Sequence, residues 1–355
     1  MQNRPGDRDL HLKRAKRKLV NAGCDAILVS DPGNIEYFTN TSSLGAFVLV
    51  PARGKAVFFI DKMNYALAVK MLEGLDIDII TDNARIKAVA AFIKDKKYRK
   101  IGFNERTLPE GTFRALERSA SKIKFKPLAS LVQDMRTCKG DDEIRLLKKA
   151  AKETVVIWNE VKHAIRTGMT EREIAAMVDI AIRKRGHTNS FPTIAAIGRN
   201  SAFPHAIPSS RRLRKGEHVL VDFGIKYNGY CSDLTRTWDN GRINRKIKDL
   251  RNFVLTAQER AIKKLKSGVN IGSLARDVNG YFHKNGLSGY ILHSLGHGVG
   301  LDIHEEPYLS ERSSRKLKKG MVVTIEPGLY VPGVGGIREE DMALITAKGC
   351  EVLTK

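Results

Sequence analysis

The chain has 355 residues, of which 42% are hydrophobic and 28% are charged. This length predicts about two domains, and the composition excludes a collagen-like, low-complexity or generally disordered chain. The charge is less ordinary, because 62 Lys and Arg stand against 39 Asp and Glu, which leaves +23. The excess divides almost equally between residues 1–140 and 141–355, so it does not mark one nucleic-acid-binding segment.

Several features indicate a cytoplasmic protein that does not enter a membrane. No apolar run approaches the roughly 18 residues of a spanning helix. The polar start lacks the apolar region of a secretory signal, although a processed mature chain would look the same. The four cysteines lie far apart and form no CxxC pair, which predicts free thiols in a reducing compartment: Cys24, Cys138, Cys231 and Cys350.

Residues 1–130 are predicted to form a small α/β domain, because helical and strand patterns alternate there. The basic run Lys13–Lys18 is predicted to be the solvated face of a helix that Gly23 ends; phosphate binding is the alternative. The remaining predicted elements are strands at 25–30, 77–80 and 100–103, a hairpin of 46–50 with 56–60, and helices at 64–73, 84–94 and 110–119.

Residues 131–140 are predicted to be a connector, and residues 141–355 an α+β catalytic domain. A capping-box pattern from Thr170 to Glu173 opens one of its helices. The predicted helices are 141–165, 170–185, 243–266 and 271–285, and the clearest strands are 217–225 and 321–325.

Two aspartates are predicted to share one face of a hairpin. Asn228-Gly229 between two β-prone runs is the pattern of a type I′ turn. Pairing across that turn places Asp222 opposite Thr235, and Asp233 two residues away, so the two aspartates become diagonal neighbours roughly 7 Å apart. Because two converging carboxylates repel, the pair indicates a cation or a shared proton between them; the alternative is an exposed face.

Two further clusters contain groups of the same kind. Glycines surround His297 in a segment that also holds His293 and His304, and imidazole is a common ligand of transition metals. Glu326 ends an apolar strand, and Glu340 lies equally far from Gly333 on the other side of a Gly-rich turn. A hairpin about that turn would bring the two glutamates together.

Two aspartates, one histidine and two glutamates make a ligand set of hard oxygens with one imidazole. Such a set suits divalent Mn²⁺, Co²⁺, Zn²⁺ or Fe²⁺ better than an ion that prefers thiolates. Four carboxylates can bridge two metals, and their formal charge equals that of two divalent cations.

In the contexts VDFG, CSDLTRT, GHGVG, TIEPG and REED, these five residues closely resemble the pita-bread metallopeptidases, which include Xaa-Pro dipeptidase, Xaa-Pro aminopeptidase and methionine aminopeptidase. The segment LVNAGCDAILVSDPGNIEYFTN resembles the N-terminal domain of the creatinase/prolidase type. The resemblance covers nearly the whole chain. It implies an α/β N-terminal creatinase/prolidase-type domain followed by an α+β pita-bread catalytic domain.

The resemblance implies two divalent ions, Mn²⁺ or Co²⁺ first, with Zn²⁺ or Fe²⁺ as second choices. It also implies a role for each matching residue. Glu326 would exchange the proton of the attacking water, His205 and His304 would contact the substrate and the tetrahedral intermediate, and His293 and Arg338 would bind the substrate. The implied metal ligands are Asp222, Asp233, His297, Glu326 and Glu340.

The activity implied is hydrolysis of the bond before proline in a dipeptide or short peptide, by a cytoplasmic homodimer. A dipeptidase must bind a carboxylate directly after proline, which Arg338 could do, but the aminopeptidase branch has this arginine too. Two competing hypotheses are a methionine aminopeptidase, which usually lacks the N-terminal domain, and a metal-free pita-bread module that binds protein or nucleic acid. Creatinase and the metal-free modules lack the five ligands, all of which are present here.

Overall fold

A computed structural model describes residues 6–41 and 44–355. The chain divides into two compact units, Met1–Arg136 and Thr137–Lys355, and the division falls within the predicted connector 131–140. That segment is not an open linker, because most of it belongs to a helix, Ala129–Thr137. Within the described ranges, no helix combines the length and the apolar character needed to cross a bilayer.

In its described residues, 6–41 and 44–136, the first unit contains one mixed six-stranded sheet and six helices, the last of which ends at Thr137. The strands lie in the spatial order β4 (Ile77–Thr81), β3 (Ala56–Ile60), β2 (Phe47–Pro51), β1 (Ala26–Val29), β5 (Lys100–Phe103), β6 (Lys124–Pro127). β2 is antiparallel to β1 and β3, and the remaining neighbours are parallel. The helices are α1 (Gly6–Ala22), α2 (Pro32–Thr39), α3 (Tyr65–Met71), α4 (Arg85–Asp95), α5 (Glu110–Ser119) and α6 (Ala129–Thr137).

The periodicity of the sequence predicted most of this unit. Gly23 follows α1 with φ of 62°, as a left-handed cap requires. Leu12, Ala15 and Leu19 are buried on the inner face of α1, while Lys13 and Lys18 are exposed, so the basic run is a solvated helix face. The apolar strands of the sheet then form a closed core with α4 and α5.

In the second unit, two pairs of helices pack on several short antiparallel sheets. Its helices are α7 (Asp141–Lys162), α8 (Glu171–Lys184), α9 (Arg245–Lys264) and α10 (Ile271–Lys284), with 3₁₀ turns at Gly198–Ala202 and Ser288–Tyr290. α7 and α8 pack on the first group of strands, and α9 and α10 on the second. Each group of strands therefore has a buried apolar face against a helix pair.

The strands of this unit carry the predicted ligands at their ends and turns. The first group is β7 (Thr188–Asn189), β8 (Ile194–Ile197), β9 (His218–Phe223), β10 (Ile225–Tyr227), β11 (Tyr230–Cys231) and β12 (Leu234–Asp239). The second is β13 (Val322–Ile325), β14 (Gly328–Val331), β15 (Gly335–Arg338), β16 (Asp341–Ile345) and β17 (Cys350–Val352). The sheet orders are β12-β9-β8, β11-β10-β7, β13-β16-β17 and β14-β15.

Candidate active site and metal centre

The hairpin that carries the two aspartates has the predicted register. β9 pairs with β12 so that Asp222 lies opposite Thr235. β10 and β11 meet at Asn228 and Gly229, whose φ angles of 46° and 85° are those of a type I′ turn. The Asn-Gly signal in the sequence was therefore sufficient to place Asp222 and Asp233 on one hairpin.

The ladder is interrupted where Asp233 would face Gly224. A Cβ on Gly224 would lie 1.8 Å from the Ser232 carbonyl oxygen, so this close approach requires glycine. The Gly224 carbonyl accepts a hydrogen bond from the Ser190 amide, at 3.0 Å, rather than from the strand opposite it in the hairpin. Asp233 thus lies in an irregular step between β11 and β12, with its Oδ2 3.5 Å from His297 Nε2.

The two glutamates flank a second hairpin, as the spacing about Gly333 predicted. β14 pairs with β15 from Gly328 opposite Arg338 to Val331 opposite Gly335, and Glu326 and Glu340 lie just beyond this ladder. The Glu340 amide donates to the Thr235 carbonyl at 3.1 Å. The Thr235 hydroxyl donates to Glu340 Oε2 at 2.7 Å, so the second hairpin is fixed directly to the first.

His297 enters the site from a glycine-flanked segment beside β13. A Cβ on Gly296 would lie 2.1 Å from the Thr324 carbonyl oxygen, so only glycine lets this backbone approach β13. The Nδ1 atom of His297 lies 3.0 Å from the Gly298 carbonyl oxygen, and donation there leaves Nε2 with a free lone pair. That Nε2 lies 3.3 Å from Glu326 Oε1, among the carboxylates.

The donor set fits a divalent cation. One potential ligand atom from each of Asp233, His297 and Glu340 lies within 4.8 Å of the other two, and all three residues are buried. Asp222 Oδ1 and Glu340 Oε1 are also buried and find no hydrogen-bond partner among the residues that the structure describes. Buried carboxylate oxygens without donors are costly, and a cation between them would remove that cost.

The electrostatics of the site lead to the same conclusion. Burial raises the pKa of Asp233 well above its usual value, and the negative charges of Glu340, Asp222 and Glu326 raise it further. Burial and the charges of Glu326 and Asp222 also raise the pKa of Glu340 well above normal, and burial raises the pKa of Glu326. Burial lowers the pKa of His297, which favours the neutral imidazole that binds metals.

One buried arginine offsets part of this negative charge. Arg338 is 3% exposed and donates from Nη2 to Asp222 Oδ2 at 2.5 Å. It also donates from Nε to the Thr235 hydroxyl at 3.0 Å and from Nη1 to the Tyr330 hydroxyl at 2.7 Å. The structure thus places Arg338 against a predicted metal ligand, where it orients Asp222; its predicted contact with substrate stays a prediction.

The hydrogen-bonded chain continues from Arg338 to His293. His293 Nε2 lies 2.7 Å from the Tyr330 hydroxyl oxygen, and Nδ1 lies 2.8 Å from the Ser294 carbonyl oxygen. Burial lowers the pKa of His293 and raises that of Tyr330 to about 12, so both groups are neutral at pH 7. A neutral ring that donates from Nδ1 accepts the tyrosine proton at Nε2, which leaves the Tyr330 oxygen to accept from Arg338.

Two more predicted histidines lie on the open side of the site. The His304 ring centroid is 4.4 Å from that of His297, and partial burial lowers the pKa of His304. His205 is exposed and follows Pro204, whose carbonyl accepts a hydrogen bond from Arg338 Nη1 at 3.3 Å. The structure therefore brings His205, His293 and His304 to the edge of the carboxylate cluster.

Two supporting features were missed by the sequence analysis. Thr235 binds both Glu340 and Arg338, and its position opposite Asp222 in the predicted hairpin was an available signal. A buried ion pair joins Lys139 to Glu305, beside His304, with Nζ 3.1 Å from Oε2. No local pattern reveals that pair, since its members lie 166 residues apart.

Comparison with known proteins gives the same two-part division. The sequence profile described as metallopeptidase family M24 matches residues 145–347, and that of the Creatinase/Prolidase N-terminal domain matches residues 11–138. A Xaa-Pro dipeptidase of Pyrococcus furiosus is 34% identical over 340 residues, which cover 93% of each chain.

Solved structures resemble the chain along almost its whole length. The Xaa-Pro dipeptidase from Bacillus anthracis is 34% identical, with a TM-score of 0.92 and 98% of each chain covered. The X-Pro aminopeptidase from Thermotoga maritima is 31% identical, with a TM-score of 0.87, covering 96% of this chain and 97% of that protein. The architecture is thus a creatinase-type N-terminal domain followed by a catalytic domain of the M24 type, and the chain belongs to metallopeptidase family M24.

Proposed function

We propose that this metallopeptidase hydrolyses the peptide bond that precedes proline, with two divalent cations as cofactors. The observation that carries the proposal is that potential ligand atoms of Asp233, His297 and Glu340 lie within 4.8 Å of one another. Glu326 Oε1 lies 3.3 Å from His297 Nε2, and one buried oxygen each of Asp222 and Glu340 has no hydrogen bond from the described residues. The proposed specificity for proline rests on the names of similar proteins, among the sequence relatives and among the solved structures, which are Xaa-Pro dipeptidases.

The residues proposed to hold the cations are those predicted from the sequence: Asp222, Asp233, His297, Glu326 and Glu340. When bound, a pair of divalent cations lowers the pKa of a shared water and polarises the substrate carbonyl. Hard oxygen ligands with one imidazole favour Mn²⁺ or Co²⁺ as the ions to test first, followed by Zn²⁺ and Fe²⁺.

Glu326 is the proposed proton carrier. Hydrolysis requires a proton to leave the attacking water and to reach the nitrogen of the departing proline. A carboxylate held within reach of the attacking water is a common carrier of this proton, and Glu326 lies at the cluster, with Oε1 3.3 Å from His297 Nε2. The Thr324 hydroxyl donates to Glu326 Oε1 at 3.1 Å and so fixes the carboxylate in the site.

The histidines at the open edge are proposed to receive the substrate. His304 lies over the His297 ring, where an N–H could stabilise the negative oxygen that develops in the transition state. His205 is exposed next to Pro204, whose carbonyl accepts from Arg338, and it is proposed to contact the substrate, with the less exposed His293 further inside. Arg338 is proposed to set the orientation of Asp222 and to define the inner end of the substrate pocket.

Dipeptidase activity is the first assignment and aminopeptidase activity the second. Three relatives at 34% identity are named Xaa-Pro dipeptidase, from Pyrococcus furiosus, Pyrococcus horikoshii and Bacillus anthracis, which favours the first. The X-Pro aminopeptidase from Thermotoga maritima, at 31% identity, favours the second. We expect the Mn²⁺- or Co²⁺-loaded protein to cleave Ala-Pro with a higher kcat/KM than Ala-Pro-Ala. The reverse order would assign an aminopeptidase, and cleavage of Met-Ala with neither proline peptide cut would assign a methionine aminopeptidase.

We also propose that the protein is cytoplasmic and forms a homodimer. The four cysteines are free thiols, which supports a reducing compartment, whereas the dimer rests on the family resemblance. Light scattering of the purified protein would give the oligomeric state. Nucleic acid is not proposed as a partner; retention on DNA that falls steeply as salt rises, in a protein without peptidase activity, would instead indicate the binding module.

A further inference from the structure

The segment that carries His205 is a loop with an exposed tip, and one buried side chain binds both of its stems. It leaves β8 at Ile197, passes through the 3₁₀ turn Gly198–Ala202 and returns at Ser209. Phe203 and Ile207, on either side of His205, are 67% and 88% exposed, so the tip of the loop has little apolar packing of its own. The buried 3₁₀ turn is held by the Gly336 amide, which donates to the Ser201 hydroxyl at 2.7 Å. Polar contacts at the two stems and near the tip set the position of the exposed part.

Glu171, the first residue of α8, makes those contacts at both stems. It is 1% exposed. Its Oε1 accepts from the Ile197 amide at 2.8 Å and from Asn200 Nδ2 at 3.0 Å, both on the outgoing stem. Its Oε2 accepts from the Ser209 amide at 2.9 Å and from the Ser209 hydroxyl at 2.5 Å, on the returning stem.

Only a carboxylate satisfies this arrangement. Four donors converge on the two oxygens, and an ionised carboxylate is the side chain that accepts at both ends without donating. The first turn of a helix also favours negative charge. The neighbouring Glu173 has a different task, since it caps α8 by accepting from the Thr170 amide at 2.7 Å.

The tip of the same loop is bound by Arg338, which belongs to the candidate active site. The Pro204 carbonyl, next to His205, accepts from Arg338 Nη1 at 3.3 Å, and Arg338 in turn donates to Asp222. The loop therefore has a stem contact that is remote from the carboxylate cluster and a tip contact within it.

We propose that Glu171 is a positioning residue that clamps the two stems of the 197–209 loop and so sets the reach of His205 over the substrate. The proposal rests on the proposed function for the role of His205. The clamp itself rests on the four contacts and can be tested without any activity.

Hydrogen exchange read by mass spectrometry tests the clamp in the full-length, metal-loaded protein. In Glu171→Gln, the amide oxygen can still accept hydrogen bonds from one stem, but the NH₂ group then faces the donors of the other stem. Exchange should therefore be faster at either the Ile197 amide or the Ser209 amide. Glu171→Ala should speed exchange at both. Glu173→Gln is the matched control on the same helical turn; it should weaken the cap of α8 and leave both stem amides protected.

Kinetics then test the link to His205. Because a displacement of about 1 Å can cost about a hundredfold in rate, Glu171→Ala should lower kcat/KM for Ala-Pro by about tenfold to a hundredfold while two metal ions per chain are retained. His205→Ala should cause a comparable loss. If Glu171 acts through His205, the double variant loses no more than His205→Ala alone, whereas independent effects would multiply.

Unchanged exchange at both stem amides in Glu171→Ala overturns the clamp, and so do multiplying losses in the double variant. Loss of metal from either Glu171 variant would also contradict the proposal, because the effect would then pass through the metal centre. If Glu171→Ala does not fold, Glu171→Gln supplies both measurements. A wild-type protein that cleaves no prolyl peptide would reject the proposed function, while the exchange data would still decide on the clamp.

Discussion

Replacement of Glu326 by Gln is expected to reduce kcat for a prolyl dipeptide by about 10²–10⁴-fold, the usual contribution of a positioned acid or base. Gln has nearly the same shape and can keep the hydrogen bond from Thr324 to Oε1, but it cannot take a proton from water. Substrate binding should be largely retained. The measurement is kcat and KM under saturating Mn²⁺ or Co²⁺, with the metal content of each preparation determined.

Glu339→Gln is the matched control for this variant. Glu339 is also a buried glutamate, on the other side of the β14–β15 hairpin, and burial raises its pKa to about 7. It is not among the predicted ligands, so its replacement should leave kcat within a few-fold of wild type. Near-normal turnover in Glu326→Gln would reject the proton-carrier role. A loss that disappears when the metal concentration is raised would assign Glu326 to metal binding alone.

Replacement of Arg338 by Met is expected to destabilise the metal-stripped protein by about 3–5 kcal/mol, the usual effect of removing one member of a buried ion pair. Without Arg338, the buried Asp222 and the three neighbouring carboxylates lose the cation that lies 2.5 Å from Asp222 Oδ2. Divalent cations neutralise the same carboxylates, so the destabilisation should be smaller when metal is bound. Denaturant unfolding with EDTA and with Mn²⁺ measures both values.

Arg185→Met is the matched control, since Arg185 pairs with Glu153 and Glu160 while its side chain is 30% exposed. Such a pair should contribute about 1 kcal/mol or less. The double variant Arg338→Met/Asp222→Asn should recover part of the loss, because the unpaired charge is removed as well. Equal destabilisation with and without metal would contradict the account of Arg338 as a counter-charge to the metal ligands.

The hairpins of the site could be predicted because their signals are local. Asn228-Gly229 specifies a turn that needs two positive φ angles, and strand pairing then fixes which residues face Asp222. The spacing of Glu326 and Glu340 about Gly333 fixed the second hairpin in the same way. The sequence also located α5 and β5 at their observed bounds, since β5 is a short strand buried from Ile101 to Phe103 and α5 is a mainly polar helix that buries Leu116.

Long-range polar contacts could not be predicted in this way. The pairing of Arg338 with Asp222 depends on how two hairpins meet, and neither hairpin specifies that approach alone. In the sequence, Glu171 has the pattern of an ordinary residue in the first turn of a helix. In the structure it is buried and accepts hydrogen bonds from both stems of the 197–209 loop. The step at Gly224 was also missed, because a glycine within a strand does not reveal which carbonyl approaches it.

The central claim is that five side chains from two hairpins and a glycine-flanked segment hold two cations that hydrolysis requires. The most direct measurement removes all metal with a chelator and then titrates Mn²⁺ or Co²⁺ back while metal content and Ala-Pro cleavage are followed together. The account predicts that activity falls to background in the stripped protein and returns as the metal content rises to two ions per chain. Undiminished cleavage by fully stripped protein would contradict it.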